Sequence, residues 1–143
     1  MSPQSINRSP SSVDFGLLLF RLALGAVFIA HGGQKMFGWW GGKGLEATVN
    51  GMAEGGIPMA LGYLAAFTEF FGGIAMVIGL LSRLAGLGLA ITMAVAVFKV
   101  HFADGFFEYE FPLVLMLLAF GLMLTGPGKL AIADLEAKLF SRR

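Results

Sequence analysis

Residues Phe28–Trp40 read FIAHGGQKMFGWW: the end of an apolar run of bilayer-crossing length, interrupted by His31, Gln34 and Lys35 and closed by two tryptophans. Polar side chains at membrane depth are costly, and they are retained for a partner or for a function. What these three groups face is the question around which the rest of the chain is read.

The composition supports a membrane setting. Of 143 residues, 57% are apolar and 13% charged, and the mean hydropathy is +0.79. A soluble domain carries about 25% charged residues. Several apolar stretches approach the roughly 20 residues that cross a bilayer. The sequence therefore predicts an all-α, integral membrane four-helix bundle built as one domain. The net charge of +1, with no basic stripe, excludes nucleic acid as a partner. The chain has no cysteine, which excludes disulfides, CxxC redox chemistry and thiolate ligands or nucleophiles.

Residues 1–14 are Ser/Pro-rich and polar and read as a disordered tail. The apolar run behind them is too long for a signal peptide and lacks a small-residue cleavage site, so the first span is expected to be retained. The bundle occupies residues 15–128. Its first span is Phe15–Phe37, capped by Ser12 or Asp14, and a short interfacial helix follows at Leu45–Ala53. The second span is Pro58–Leu81, and a tight Ser82–Arg83 link leads to the third at Leu84–Val100. An acidic, aromatic loop, His101–Glu110, precedes a short fourth span at Phe111–Thr125 that can begin inside that loop. Residues 129–143 set apolar Leu130, Ile132, Leu135, Leu139 and Phe140 among Lys138, Arg142 and Arg143, a pattern that suits an amphipathic helix on the membrane surface.

Four spans put both termini on one side. That side collects seven cations (Arg8, Arg21, Arg83, Lys129, Lys138, Arg142 and Arg143) against three, Lys35, Lys43 and Lys99, on the other. The positive-inside rule then places both termini in the cytoplasm. Ala75/Gly79 and Gly86/Ala90/Ala94 form small-residue stripes suited to close packing of spans two and three. Arg21-Leu22-Ala23 and Arg83-Leu84-Ala85 open spans one and three alike.

At about 100° per residue, Arg21, His31 and Lys35 share one face of the first span, which must look into the bundle. Rises of about 1.5 Å per residue put His31 and Glu69 of the second span at nearly the same depth. Glu69 lies among Phe67, Phe70 and Phe71, where a carboxylate keeps its charge only if a cation approaches. His31, Lys35, Arg21 and Lys99 are the available cations, and one cavity holding His31, Gln34, Lys35, Glu69, Lys99 and His101 is expected. Each group has a plainer reading beside the functional one. A Glu69–Lys35 pair can simply lock two helices in register, His31 can be a packing histidine, and Lys99 can snorkel to the headgroups. Glu110 suits a helix N-terminus. No ligand spacing supports a metal site, and no phosphate loop or nucleophile elbow is present.

These segments resemble the DoxX family of small four-span bacterial membrane proteins. The matching pieces are LLFRLALGAVFIAHGGQKMFGWWGG at Leu18–Gly42, Glu69-x-x-Gly72-Gly73, GLLSRLAG at Gly79–Gly86, HFADGFF at His101–Phe107, Glu110-Phe111-Pro112 and Gly126-Pro127-Gly128-Lys129. Their order and spacing, covering nearly all of the chain between its tails, carry the resemblance. One departure is Ala131-Ile132-Ala133, with Asp134 after it, where the family commonly has a basic residue and then Ser-Leu-Asp. The resemblance implies a multi-pass protein of the bacterial inner membrane and a component of membrane oxidoreductases. Members are associated with quinone-linked enzymes, notably in thiosulfate oxidation, and others accompany enzymes handling reactive oxygen or thiols.

Three functions follow as expectations. In the first, the protein is a quinone-interacting subunit of a membrane redox complex with a membrane or peripheral redox partner. Glu69 and His31 exchange protons, Lys35 or Gln34 hydrogen-bonds a quinone carbonyl, and Phe67, Phe70 and Phe71 flank the ring. In the second, it is a non-catalytic scaffold or assembly subunit. In the third, it carries a small solute or protons, for which so few spans call for a homo-oligomer.

Overall fold

Ser11 opens the first helix. Its hydroxyl oxygen accepts the Asp14 backbone N–H, and the Asp14 carboxylate accepts the Ser11 backbone N–H at 2.8 Å. This reciprocal capping box satisfies donors that the first helical turn leaves free. Helix α1 therefore runs Ser12–Phe37, starting earlier than Phe15, because the cap is Ser11 and not Ser12 or Asp14. The computed structural model describes residues 9–132. Most of the expected N-terminal tail and the amphipathic segment beyond Ile132 lie outside the described residues.

After Gly38 and a 3₁₀ turn at Trp39–Gly41, α2 spans Leu45–Glu54 and α3 spans Met59–Ile78. Helix α4, Ser82–Val95, continues as a π-helix over Ala96–His101 and a 3₁₀ turn over Phe102–Asp104. Helix α5 spans Phe106–Thr125. Ser12–Phe37, Met59–Ile78, Ser82–Asp104 and Phe106–Thr125 are each long and apolar enough to cross a membrane. Their outward faces carry Leu19, Leu64, Leu84, Ile91, Leu117 and Leu124, all exposed. A soluble protein does not leave so much apolar surface uncovered, so the chain is a multi-pass membrane protein.

Two boundaries differ from the sequence reading for local reasons. The link between the second and third spans is Gly79–Leu81, not Ser82–Arg83, which are helical. Gly79 has φ 74°, a left-handed conformation that ends α3 and is cheap only for glycine. The expected His101–Glu110 loop is mostly helical, since α5 already starts at Phe106. Glu110 thus lies past the first turn, which holds Glu108 instead, and Pro112 is inside the helix.

Helix α1 packs chiefly on α3, and α4 on α5; α3 and α4 join the two pairs, while α1 and α5 meet only lightly. Leu24, Phe28, Met76, Leu89, Ala119 and Leu122 form the centre. A Cβ on Gly32 would lie 2.5 Å from the Phe70 backbone nitrogen, and one on Gly86 2.8 Å from the Ala119 carbonyl oxygen. In lipid, where apolar burial gives no drive between helices, such backbone-to-backbone approach supplies the packing. The closest approaches thus join α1 to α3 and α4 to α5. The predicted stripe on the third span serves α5 through Gly86, and Gly79 of the second is a cap.

The two ends of the described chain meet at one end of the bundle. The Asp14 carboxylate accepts the Lys129 backbone N–H at 2.9 Å. Arg21, 1% exposed, donates to the carbonyls of Pro127 and Leu130, each at 2.8 Å. Arg83 donates to the Met123 and Leu124 carbonyls at 3.0 and 2.8 Å. The paired Arg-Leu-Ala segments thus act alike: each guanidinium binds carbonyls at or just beyond the C-terminal end of α5, where a cation also meets the negative helix pole. Arg21 is therefore engaged far from Glu69. Lys129–Ile132 are not helical.

Candidate functional site

The site begins with the missing side chain of Gly32. Because α1 touches the α3 backbone there, Lys35, almost one turn further along, reaches Glu69, the neighbour of Phe70. The Lys35 ammonium donates to Glu69 Oε2, with Glu69 2% and Lys35 24% exposed. A carboxylate this deep in an apolar bundle is tolerable because it is paired.

The pair forms part of the wall of a cleft of about 160 Å³. All four spans contribute: Val27, Phe28 and His31 from α1, Met93 from α4, Ala96 and His101 from the π-helix, and Phe111, Pro112 and Leu115 from α5. The cleft lies where α1 and α5 pack least, and the rings of His31 and Phe111 face each other across that seam with centroids 6.2 Å apart. His31 is exposed and His101 partly buried. The π-helix sets the register of the opposite wall. It points Val97 inward, 1% exposed, and brings His101 to the cleft. π-Segments recur at functional sites because they re-aim side chains within an otherwise regular helix.

The structure brings together His31, Lys35, Glu69 and His101. The other expected site residues point elsewhere. Phe67 and Phe71 are exposed and stack on each other at 6.2 Å. Phe70 meets Phe37 and Trp39 edge-on at 5.2 and 5.7 Å. Helical turn explains all three, since positions one or two residues from Glu69 are rotated about 100° or 200° away from it. Gln34, one residue before Lys35, sets its Cβ against Gly42 of the following loop, and its backbone carbonyl accepts the Gly44 N–H. Lys99 lies in a separate groove beside α2 with Val100. Among the residues that sequence reasoning missed, Val27 and Phe28 were accessible to it, being one turn before His31 on the same face. Phe111, Pro112 and Leu115 were not, because no local pattern says that α5 abuts α1.

Chemically, the cleft offers two imidazoles, each with ring nitrogens that donate or accept hydrogen bonds, an ammonium with two further N–H donors, and a carboxylate. Its remaining walls are apolar. An apolar cavity of about 150 Å³ accommodates a single benzene ring, so this one has room for one six-membered ring.

The sequence profile described as DoxX matches residues 16–102 of the 143-residue chain. This chain belongs to the DoxX family. A relative of this DoxX protein in Bacillus subtilis (strain 168), named "Putative oxidoreductase CatD", is 32% identical over 122 residues, covering 85% of this chain and 87% of that one. No solved structure matches the chain. The DoxX match takes in His31, Lys35, Glu69 and His101 but stops before Phe111, Pro112 and Leu115.

Proposed function

We propose that this protein is a quinone-interacting subunit of a membrane redox complex in the bacterial plasma membrane, with both termini in the cytoplasm. The observation that carries the reading is the buried Glu69–Lys35 pair in the wall of a ring-sized cleft that also holds two histidines. The relative's name, an oxidoreductase, points the same way. The seven-to-three distribution of cations supports the orientation.

In this reading the ring lies between Phe28, Phe111 and Pro112, in place of Phe67, Phe70 and Phe71. Lys35 uses one N–H on Glu69 and has two more for a carbonyl oxygen. His31, at the exposed mouth, exchanges protons with the surroundings, and Glu69 holds or releases a proton as Lys35 shifts between it and the ligand. A bound quinone would supply the redox capacity that a chain without cysteine lacks, accepting two electrons from the partner with two protons. The test is purification from native membranes in mild detergent, with proteomics and quinone extraction on the same sample. A stoichiometric redox partner with bound quinone is expected, and the quinone is lost in Glu69→Gln. Protein that carries quinone equally well in Glu69→Gln and His31→Ala would overturn the reading.

A second reading, a non-catalytic assembly subunit, is favoured by the ion pair's position at the tight α1–α3 contact, where it locks helix register. There Glu69→Gln lowers the melting temperature, and any partner's activity falls only in proportion to protein recovered.

A further inference from the structure

The bundle end opposite the paired chain ends carries a second recess. A groove of about 380 Å³ runs between α2 and the π-helix, with Lys43, Thr48, Met52, Ile57, Lys99 and Val100 among its walls. Two cations therefore face one space. Among the described residues neither the Lys43 nor the Lys99 ammonium makes an ion pair or hydrogen bond. Glu46 lines an adjoining recess with Lys43, but no acidic residue lines this groove. Lys99 lies beside the turn that ends α2, its Nζ 3.8 Å from where a Cβ on Gly56 would be. The negative pole of α2 favours it there without neutralising it.

Depth in the membrane identifies what complements these charges. Lys99 lies near the end of the Ser82–Asp104 span, and Trp39 and Trp40 mark the same end of the bundle. Indoles settle at the headgroup level of a bilayer, so both ammoniums stand at the height of lipid phosphates. The remaining wall, Met52, Ile57 and Val100, is apolar and suits the first methylenes of an acyl chain. Unpaired cations, a hydroxyl donor on Thr48 and an apolar flank in one groove match an anionic amphiphile better than a small soluble anion, which has no use for the flank.

We propose that this groove binds the phosphodiester headgroup of an anionic phospholipid. Lys43 and Lys99 hold the phosphate from two sides, and α2 is thereby fixed against the π-helix. The site is separate from the His31–Glu69 cleft and does not depend on its function.

The test is native mass spectrometry of the full chain in mild detergent, titrated with dioleoyl phosphatidylglycerol, dioleoyl phosphatidylcholine or inorganic phosphate. Phosphatidylglycerol is expected to form a one-lipid adduct at least ~10-fold tighter than phosphatidylcholine, and phosphate none. A juxtamembrane cation contributes roughly fivefold in affinity, so Lys43→Gln/Lys99→Gln should weaken the adduct about 30-fold. Gly51→Leu is the steric counterpart. Gly51 lines the groove and has nothing within 4 Å of a Cβ position, so leucine there fills the recess with the charges and the fold intact. It should weaken the adduct by a similar factor. Equal binding of the two lipids by the wild type would overturn the proposal. So would phosphate binding as tight as that of phosphatidylglycerol, or wild-type lipid binding by Gly51→Leu. Should the double lysine variant fail to fold, the lipid comparison and Gly51→Leu still decide.

Discussion

Lys35 and Glu69 are 34 positions apart, and each makes the other tolerable in a bilayer. Removing one partner leaves a charge in an apolar bundle. Lys35→Met should therefore destabilise the protein by about 3 kcal/mol, the low end for a broken buried pair because Lys35 keeps some exposure. Lys35→Met/Glu69→Leu, which removes both charges, should recover most of that loss. Detergent melting curves of the two variants and the wild type check this; a double variant no more stable than Lys35→Met would show that the pair does more than neutralise itself. The acid and its cations were legible in the sequence, since a carboxylate amid phenylalanines demands a partner. Which of the four cations answers it was not. Arg21 lies on the same helical face as Lys35 but binds the Pro127 and Leu130 carbonyls.

At the scale of elements, close approach decides geometry. Gly32→Ala pushes a methyl group to within 2.5 Å of the α3 backbone, which cannot yield as a flexible side chain does. The expected cost is about 1–3 kcal/mol. Gly16→Ala on the same helix has nothing within 4 Å and should be neutral or stabilise by up to ~1 kcal/mol through helix propensity. Thermal unfolding of the pair separates packing from propensity. Arg21→Leu tests the other end. It deprives two carbonyls of a charged donor, so hydrogen exchange at the Lys129 and Ile132 amides, now bonded to Asp14 and to the Ile78 carbonyl, should accelerate at least ~10-fold. Amides of α3 near Glu69 should exchange as before.

For the whole molecule, the capped start of α1 and the clasped segment after α5 lie together, and α2 and the start of α5 lie at the other end. The absence of cysteine makes this easy to test with single introduced thiols. Ser9→Cys and Ile132→Cys should react with an impermeant maleimide from one side of the membrane, and Lys43→Cys and Phe107→Cys from the other. If the proposed orientation holds, only the second pair reacts in intact cells. Labelling of Ile132→Cys and Lys43→Cys from one side would contradict the four-span topology itself.

The number of spans and their all-helical character followed from the sequence alone, because the bilayer imposes a length and an apolar composition that can be counted along the chain. The connecting helix at Leu45 and the candidate acid and base residues were visible for related reasons: local periodicity, and the cost of polarity at depth. Tertiary structure decided which helices pair, that Lys35 and not Arg21 meets Glu69, that Phe67, Phe70 and Phe71 turn away, and that α5 supplies the far wall of the cleft. Those outcomes rest on where one backbone admits another, at Gly32 and Gly86, and on a π-helix that shifts the register of His101 and Lys99. Neither is set by residues adjacent in sequence.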